Sequence, residues 1–160
     1  MSRKLVAYFS ATGVTRLVSG RLAETIGADL YEIKPEKAYS DNDLNWLDQT
    51  TRATIEQKDT SARPALAAKD ANINDYDVID LGFPIWWYIA PRIIQTFLET
   101  YDFSGKTVVL FATSGGSGLG RTVDILKSSL PPSAKIVTGQ LLNGGPTATE
   151  LARWTKSLKL

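Results

Sequence analysis

The sequence has no cysteine and no histidine among its 160 residues, and one methionine. Without cysteine there can be no disulfide framework and no thiolate metal site, and a protein of a reducing compartment is the natural reading. Without histidine the commonest general base and metal ligand is missing, which removes Ser-His-Asp triads, Cys-His pairs and most zinc chemistry. Long hydrophobic runs are missing too. Met1-Ser2-Arg3-Lys4 leads into only Leu5 to Phe9 before Ser10, too short for a signal-peptide core or a membrane span, so a cytoplasmic protein with no membrane partner is expected. A strong charge of either sign is also lacking, the net being +1. Residues 1–102 carry 11 basic and 15 acidic side chains and residues 103–160 carry 7 and 2, but the later cations are scattered, so no nucleic-acid partner is expected.

What the chain does contain is length for one core, and a single domain over 1–160 is expected. Unbroken apolar runs alternate with helical patterns, as strands covered on both faces require. Leu5–Phe9 reads as a first strand, Thr15–Ile26 as a helix with Leu17, Val18, Leu22 and Ile26 inward and Gly27 closing it, and Leu30–Ile33 as a second strand. In the polar stretch from Lys34 to Ala71, Asp41-Asn42 can cap a crossover helix over about 43–58 with Leu44, Leu47 and Ile55 inward. Strands follow at Val78–Phe83, Thr107–Ala112 and Lys135–Thr138, the last extendable through Leu142. Helices are expected over Pro91–Glu99, Arg121–Ser129 and Thr147–Leu158, the last with Thr147 and Glu150 spaced as a capping box. Five strands, with helices between them and at the end, give a doubly wound α/β sheet, whose ligand lies beyond the carboxyl ends of the strands where the strand order reverses.

Three loops are therefore of interest. After the first strand, Ser10-Ala11-Thr12-Gly13-Val14-Thr15 offers hydroxyls, a glycine and the free N–H groups of a helix start, an anion cradle without a cation. It lacks the lysine of a P-loop and the three spaced glycines of a dinucleotide motif, so a terminal monophosphate suits it better, although an ordinary Ser/Thr helix cap explains the same residues. After the third strand, Pro84-Ile85-Trp86-Trp87-Tyr88 could stack a flat ring, or plug the sheet end or a subunit contact. After the fourth, Thr113-Ser114-Gly115-Gly116-Ser117-Gly118-Leu119-Gly120 has more glycine than a turn needs and could bring backbone donors to a ring edge, or be a flexible loop. Blander roles suit Tyr39 and Trp46 as cover for a helix face and Trp154 as core. Asp75, Asp77 and Asp80 read as solvated carboxylates at a strand entrance, and no metal site is expected.

The Ser-x-Thr-Gly-x-Thr loop resembles the FMN phosphate loop of flavodoxins. Arg63-Pro64-Ala65-Leu66, Tyr76-Asp77-Val78-Ile79, Pro84-Ile85-Trp86-Trp87 and Ser114 to Gly120 resemble a Pro-Ile-Trp-Trp subgroup of that family, a likeness spanning nearly the whole chain. The resemblance implies a flavodoxin-like three-layer sandwich, with helices on both faces of a five-stranded parallel sheet of order 2-1-3-4-5. It implies FMN as cofactor, with Ser10, Thr12, Gly13, Val14 and Thr15 on its phosphate, Pro84, Ile85, Trp86 and Trp87 around the ring, and Ser114, Gly115, Gly116, Ser117 and Gly118 along the ring edge. No catalytic side chain is required. The function implied is electron transfer through bound FMN to a redox partner protein or a small-molecule acceptor. The alternative is an NAD(P)H-dependent reductase of quinones, nitro or azo compounds, and a homodimer is left open. A phosphorylated receiver is disfavoured, because the loops that would need carboxylates read Ser10-Ala11-Thr12 and Gly82-Phe83-Pro84. The chain departs from the subgroup at Tyr88, where glycine often follows the Trp pair. In flavodoxins a backbone flip there stabilises the one-electron reduced state, and a bulky residue should make a flipped, positive-dihedral form costlier.

Overall fold

The computed structural model describes residues 3–45, 47–113, 119, 121–143 and 145–159. Five strands pair in parallel: β1 Lys4–Tyr8, β2 Asp29–Glu32, β3 Val78–Pro84, β4 Thr107–Thr113 and β5 Lys135–Leu141, in the order β2-β1-β3-β4-β5. The helices are α1 Val14–Ile26, α2 Arg52–Lys58, α3 Arg92–Thr100, α4 Thr122–Lys127 and α5 Ala148–Ser157. Alternate strand residues serve two cores. Leu5, Ala7, Ile79, Leu81 and Leu110 cluster with Ile93, Ile94 and Phe97 of α3 and Leu126 of α4. Val6, Val78, Val109 and Phe111 cluster with Val18 and Leu22 of α1 and Leu151 and Trp154 of α5. Burying one such side chain is worth about 1.5–3 kcal/mol. The central strands read as unbroken apolar runs because both of their faces must be covered this way.

Several elements form for the reasons visible in the sequence. Gly27 adopts the left-handed conformation (φ 67°) and closes α1. Thr147 and Glu150 make both hydrogen bonds of a capping box at α5. The two halves of the last strand are joined into one β5 by a register shift opposite Val109–Phe111. At that bulge a Cβ on Gly139 would sit 1.2 Å from the Leu110 carbonyl oxygen, so only glycine lets the two backbones approach.

Three expectations are corrected. The inward stripe of α1 is Thr15, Val18, Ser19, Leu22 and Ala23, and Leu17, on the opposite side of the helix, is 74% exposed. The helix expected over 43–58 is reduced to Arg52–Lys58, and Leu47 and Ile55 are exposed. Its first half is diverted by local hydrogen bonds. Ser40 and Asp43 bond reciprocally through side chain and N–H, Asn45 accepts from Leu47 N, and Asp48 accepts from Thr50 N. Asp80 is not solvated but stands in β3 between Val6 and Val109, 3% exposed and with no hydrogen-bond partner among the described residues.

Burial pushes the Asp80 carboxyl up to about 6, against the weaker opposing pull of Lys4. Its folded pKa exceeds its unfolded one, so its contribution to stability is fully present below the unfolded value and is lost as pH rises through 6. Asn at this position removes the ionisation. The stability of Asp80→Asn relative to wild type should therefore rise by about 2.4 kcal/mol between pH 4 and pH 8, read by urea unfolding at each pH. A pH-independent difference would disprove the buried titration.

Candidate functional site

The chain leaves β1 toward α1 on one face of the sheet and leaves β3 toward α3 on the other, which opens a crevice at the carboxyl ends of these neighbouring strands. The β1–α1 loop forms its floor. Gly13 N–H donates to Ser10 Oγ at 3.0 Å, and Gly13 itself takes φ 97° with no atom within 4 Å of where a Cβ would lie. Glycine is needed there for the dihedral, not for space. The first turn of α1 leaves the N–H groups of Val14, Thr15 and Arg16 without helical acceptors. Of the hydroxyls singled out in the sequence, Ser10 is engaged within the loop and Thr15 is buried against Thr113, Oγ1 to Oγ1 2.8 Å. Thr12 alone of them is exposed and has no hydrogen-bond partner among the described residues. Arg16 turns away to Glu32, 2.7 Å, and leaves the cradle without a cation.

Two clefts open from this floor on either side of Pro84-Ile85-Trp86. One, of about 430 Å³, lies between Ala11, Thr12, Leu44, Ala53 and the Trp87-Tyr88 turn. The other, of about 540 Å³, is lined by Val14, Leu17, Thr113, Leu142 and Gly145. Thr12, Pro84, Ile85 and Trp86 belong to both. Arg21 donates to the Pro146 carbonyl at 2.8 Å, and so holds the β5–α5 loop at the rim of the second cleft. Exposed Leu17 thus acquires a place at the crevice. Ser114, Gly115, Gly116, Ser117 and Gly118, like Trp46, lie outside the described residues.

Aromatic packing fixes the wall. Phe9, Tyr39 and Trp86 meet edge to face, with centroids 5.8, 5.7 and 5.4 Å apart pairwise. The Arg52 guanidinium lies 3.9 Å over the Tyr39 ring and pairs with Glu56 at 2.9 Å, while Glu56 also accepts from the Tyr39 hydroxyl. Burial first, and then the Glu56 carboxylate, push the Tyr39 phenol far above its ordinary pKa and keep it a neutral donor. Tyr39 therefore docks the long connection onto the crevice wall.

The Trp86–Ile89 turn is closed by two backbone bonds, Trp86 N–H to Ile89 O at 2.8 Å and Ile89 N–H to Trp86 O at 3.2 Å. Its two central residues, Trp87 and Tyr88, have φ 50° and 68°. This is the primed geometry that a two-residue hairpin demands, and it is normally supplied by Asn-Gly. Aromatic side chains there carry a cost of about 1–2 kcal/mol each. The positive dihedrals expected only of a flipped form are thus present already, imposed by the hairpin. Gln57 helps to hold them. Its Nε2 donates to the carbonyls of Trp86, 2.9 Å, and Ala90, 3.3 Å, from the end of α2. Nothing in the sequence marked Gln57, or Leu44 and Ala53, as site residues, because an isolated polar residue in a polar connection has no pattern to betray it. Thr113, by contrast, heads the glycine-rich loop that the sequence singles out after the fourth strand.

The sequence model of the flavodoxin family matches residues 3–158. Among curated proteins none matches. A Bacteroides eggerthii structure, provisionally described as a flavoprotein, is 42% identical with a TM-score of 0.93, covering 100% of this chain and 99% of its own. Its Bacteroides uniformis counterpart is 44% identical with a TM-score of 0.90, covering 97% and 98%. A Lactobacillus acidophilus flavoprotein in complex with FMN shares the fold at 21% identity and a TM-score of 0.68, covering 97% and 99%. With its strand order, its crevice and a family match over nearly its whole length, the chain belongs to the flavodoxin family.

Proposed function

We propose that the protein binds FMN in this crevice and transfers electrons through it. The observation that carries the reading is the shared corner of the two clefts, where exposed Thr12 and the unpaired N–H groups of α1 lie next to Pro84-Ile85-Trp86. A phosphate suits the first group and a flat ring the second. Thr12 and the N–H groups of Val14, Thr15 and Arg16 would hold the phosphate, with Gly13 shaping the loop. Pro84 to Trp87 would flank the ring. Bound FMN supplies the redox chemistry, and the chain supplies binding, orientation and shielding from water. With Arg16 committed to Glu32, no cation offsets the phosphate, and added negative charge nearby is opposed electrostatically.

The turn favours one-electron chemistry. The Trp87 carbonyl and the Tyr88 N–H, which form its central peptide, have no hydrogen bonds among the described residues. Rotating that peptide converts a type I′ turn to type II′ and returns Tyr88 to negative φ, leaving Trp87 as the one positive residue. Tyr88 therefore lowers the cost of a flip, where the sequence suggested that it would raise it. Two-electron reduction by a nicotinamide dinucleotide is the second reading, favoured by a cationic cleft behind the same turn.

The purified protein should take up one equivalent of FMN, and Gly13→Ala, forced to a positive φ, should weaken binding at least tenfold with the far-ultraviolet dichroism unchanged. Absence of FMN binding refutes the proposal. Anaerobic dithionite titration should then resolve two one-electron steps, whereas a direct passage to full reduction supports the second reading. Tyr88→Gly removes the positive-φ strain at a site 67% exposed and should stabilise the fold by about 1 kcal/mol in urea unfolding. It should also narrow the separation of the two steps, because the unflipped turn no longer carries strain to release.

A further inference from the structure

Behind the Trp87-Tyr88 turn, between the end of α2 and the starts of α3 and α4, lies a third cleft of about 460 Å³. It is lined by Lys58, Arg63, Arg92 and Arg121, with Gln57 and Trp87, and by no acidic side chain. In a chain of net charge +1 this is a local concentration of one sign. Two carboxylates near the cleft already have partners, and the charge of Asp59 reaches Arg63 and Arg92 only through space. Glu99 pairs with Arg63 at 3.0 Å, and Asp59 accepts from the N–H and hydroxyl of Ser61. Lys58, Arg92 and Arg121 have no carboxylate partner among the described residues.

Arg92 is the clearest sign of a built site. It is 4% exposed, and its guanidinium donates only to neutral acceptors: Gln57 O at 2.8 Å, Gln95 Oε1 at 3.0 Å and Glu56 O at 3.3 Å. Burial lowers its pKa. Tethering α2 to α3 would need donors but no charge, and a buried, unpaired cation is costly unless an anion compensates it. Gln57, beside it, has a buried amide oxygen with no hydrogen-bond partner among the described residues, an acceptor that lacks a donor. A ligand that carries both an anionic oxygen and a hydroxyl supplies what each group lacks, and the exposed face of Trp87 at the rim offers a surface for a base to stack upon.

We propose that this cleft is a binding subsite for a phosphorylated nucleoside, with Arg92, Arg121 and Lys58 on the phosphate, the Gln57 amide oxygen on a sugar hydroxyl and Trp87 beneath the base. Guanidinium groups match phosphate oxygens in charge and in planar, paired geometry. The volume is that of a small-ligand pocket and holds part of a dinucleotide, not the whole. Because Trp87 also lines the cleft between Thr12 and the turn, a nicotinamide dinucleotide can occupy this subsite and reach the crevice. Only that choice of nucleotide rests on the flavin reading; the subsite itself does not.

Calorimetric titration of the FMN-loaded protein with NADPH, NADH, ADP and inorganic phosphate tests the assignment, alongside the double variant Lys58→Gln, Arg121→Gln, both of whose sites are exposed. The expected result is one-to-one nucleotide binding that weakens with salt, competition between ADP and the dinucleotide, and at least a tenfold loss of affinity in the variant with FMN affinity unchanged. The subsite is overturned if no nucleotide binds, if the variant binds equally well, or if inorganic phosphate binds as tightly as ADP. Competition between ADP and FMN for one place also overturns it. Repeating the ADP titration without FMN separates the two proposals, since the subsite should persist in a protein that fails to take up flavin.

Discussion

Everything at the candidate site depends on β1 having a neighbour on each side. It pairs with β2 through Leu5–Tyr8 and with β3 through Lys4–Tyr8, all in parallel. Parallel neighbours require crossover connections, and the right-handedness of crossovers sends the helices after β1 and β3 to opposite faces. α1 joins the cluster with Val6 and Phe111, and α3 joins the one with Leu5 and Leu81. The loops that lead to them must therefore part. The crevice costs the fold no extra strain, because it is where two well-packed layers diverge, and the free N–H groups of α1 open into it as a consequence of helix geometry.

Strain enters one step later, at the turn after β3. The two-residue hairpin between Trp86 and Ile89 is seated with both central φ values positive, and the sequence places Trp87 and Tyr88 there in place of glycine. Such a conformation persists only when its surroundings determine it more strongly than its local preference. Those surroundings are the paired backbone bonds and the Gln57 amide, which reaches two carbonyls across the turn. The central peptide is left out of this scaffold. The turn is therefore held at its base and free at its tip, which is the arrangement a small backbone switch requires.

How much of this was legible in the sequence follows from which forces act locally. The central strands β1, β3 and β4 were legible because burial on both faces writes itself as an unbroken apolar run, and α5 because Thr147 and Glu150 cap it within one turn. The cradle was legible as a loop, and Thr12 emerges as its free hydroxyl. Thr15 had the same chemistry but is consumed by Thr113, 98 positions away, a pairing no local pattern encodes. The helix over 43–58 failed for a reason that was visible: Ser40, Asn45 and Asp48 are residues that compete with helical hydrogen bonds. Asp80 misled because a carboxylate at a strand start is usually wet, while here the register sets it between Val6 and Val109 in the sheet centre.

The distribution of charge separates the two sides of the aromatic turn. On the cradle side the nearest cation, Arg16, is bound to Glu32 and directed away, so an anion there is held by dipoles and hydroxyls alone. On the far side three cations stand around a half-enclosed cleft without a carboxylate partner among the described residues. If the cations lay in the cradle, a second anionic ligand would compete with the first for one site. Their separation across Trp87 lets one phosphate be bound by geometry and another by charge, each with its own salt dependence, since screening weakens the second far more than the first. Gln57 touches both sides at once, lining the cationic cleft while donating to the Trp86 carbonyl. A ligand that drew its amide oxygen would thereby act on the base of the strained turn, and occupancy of one cleft would be felt in the backbone of the other.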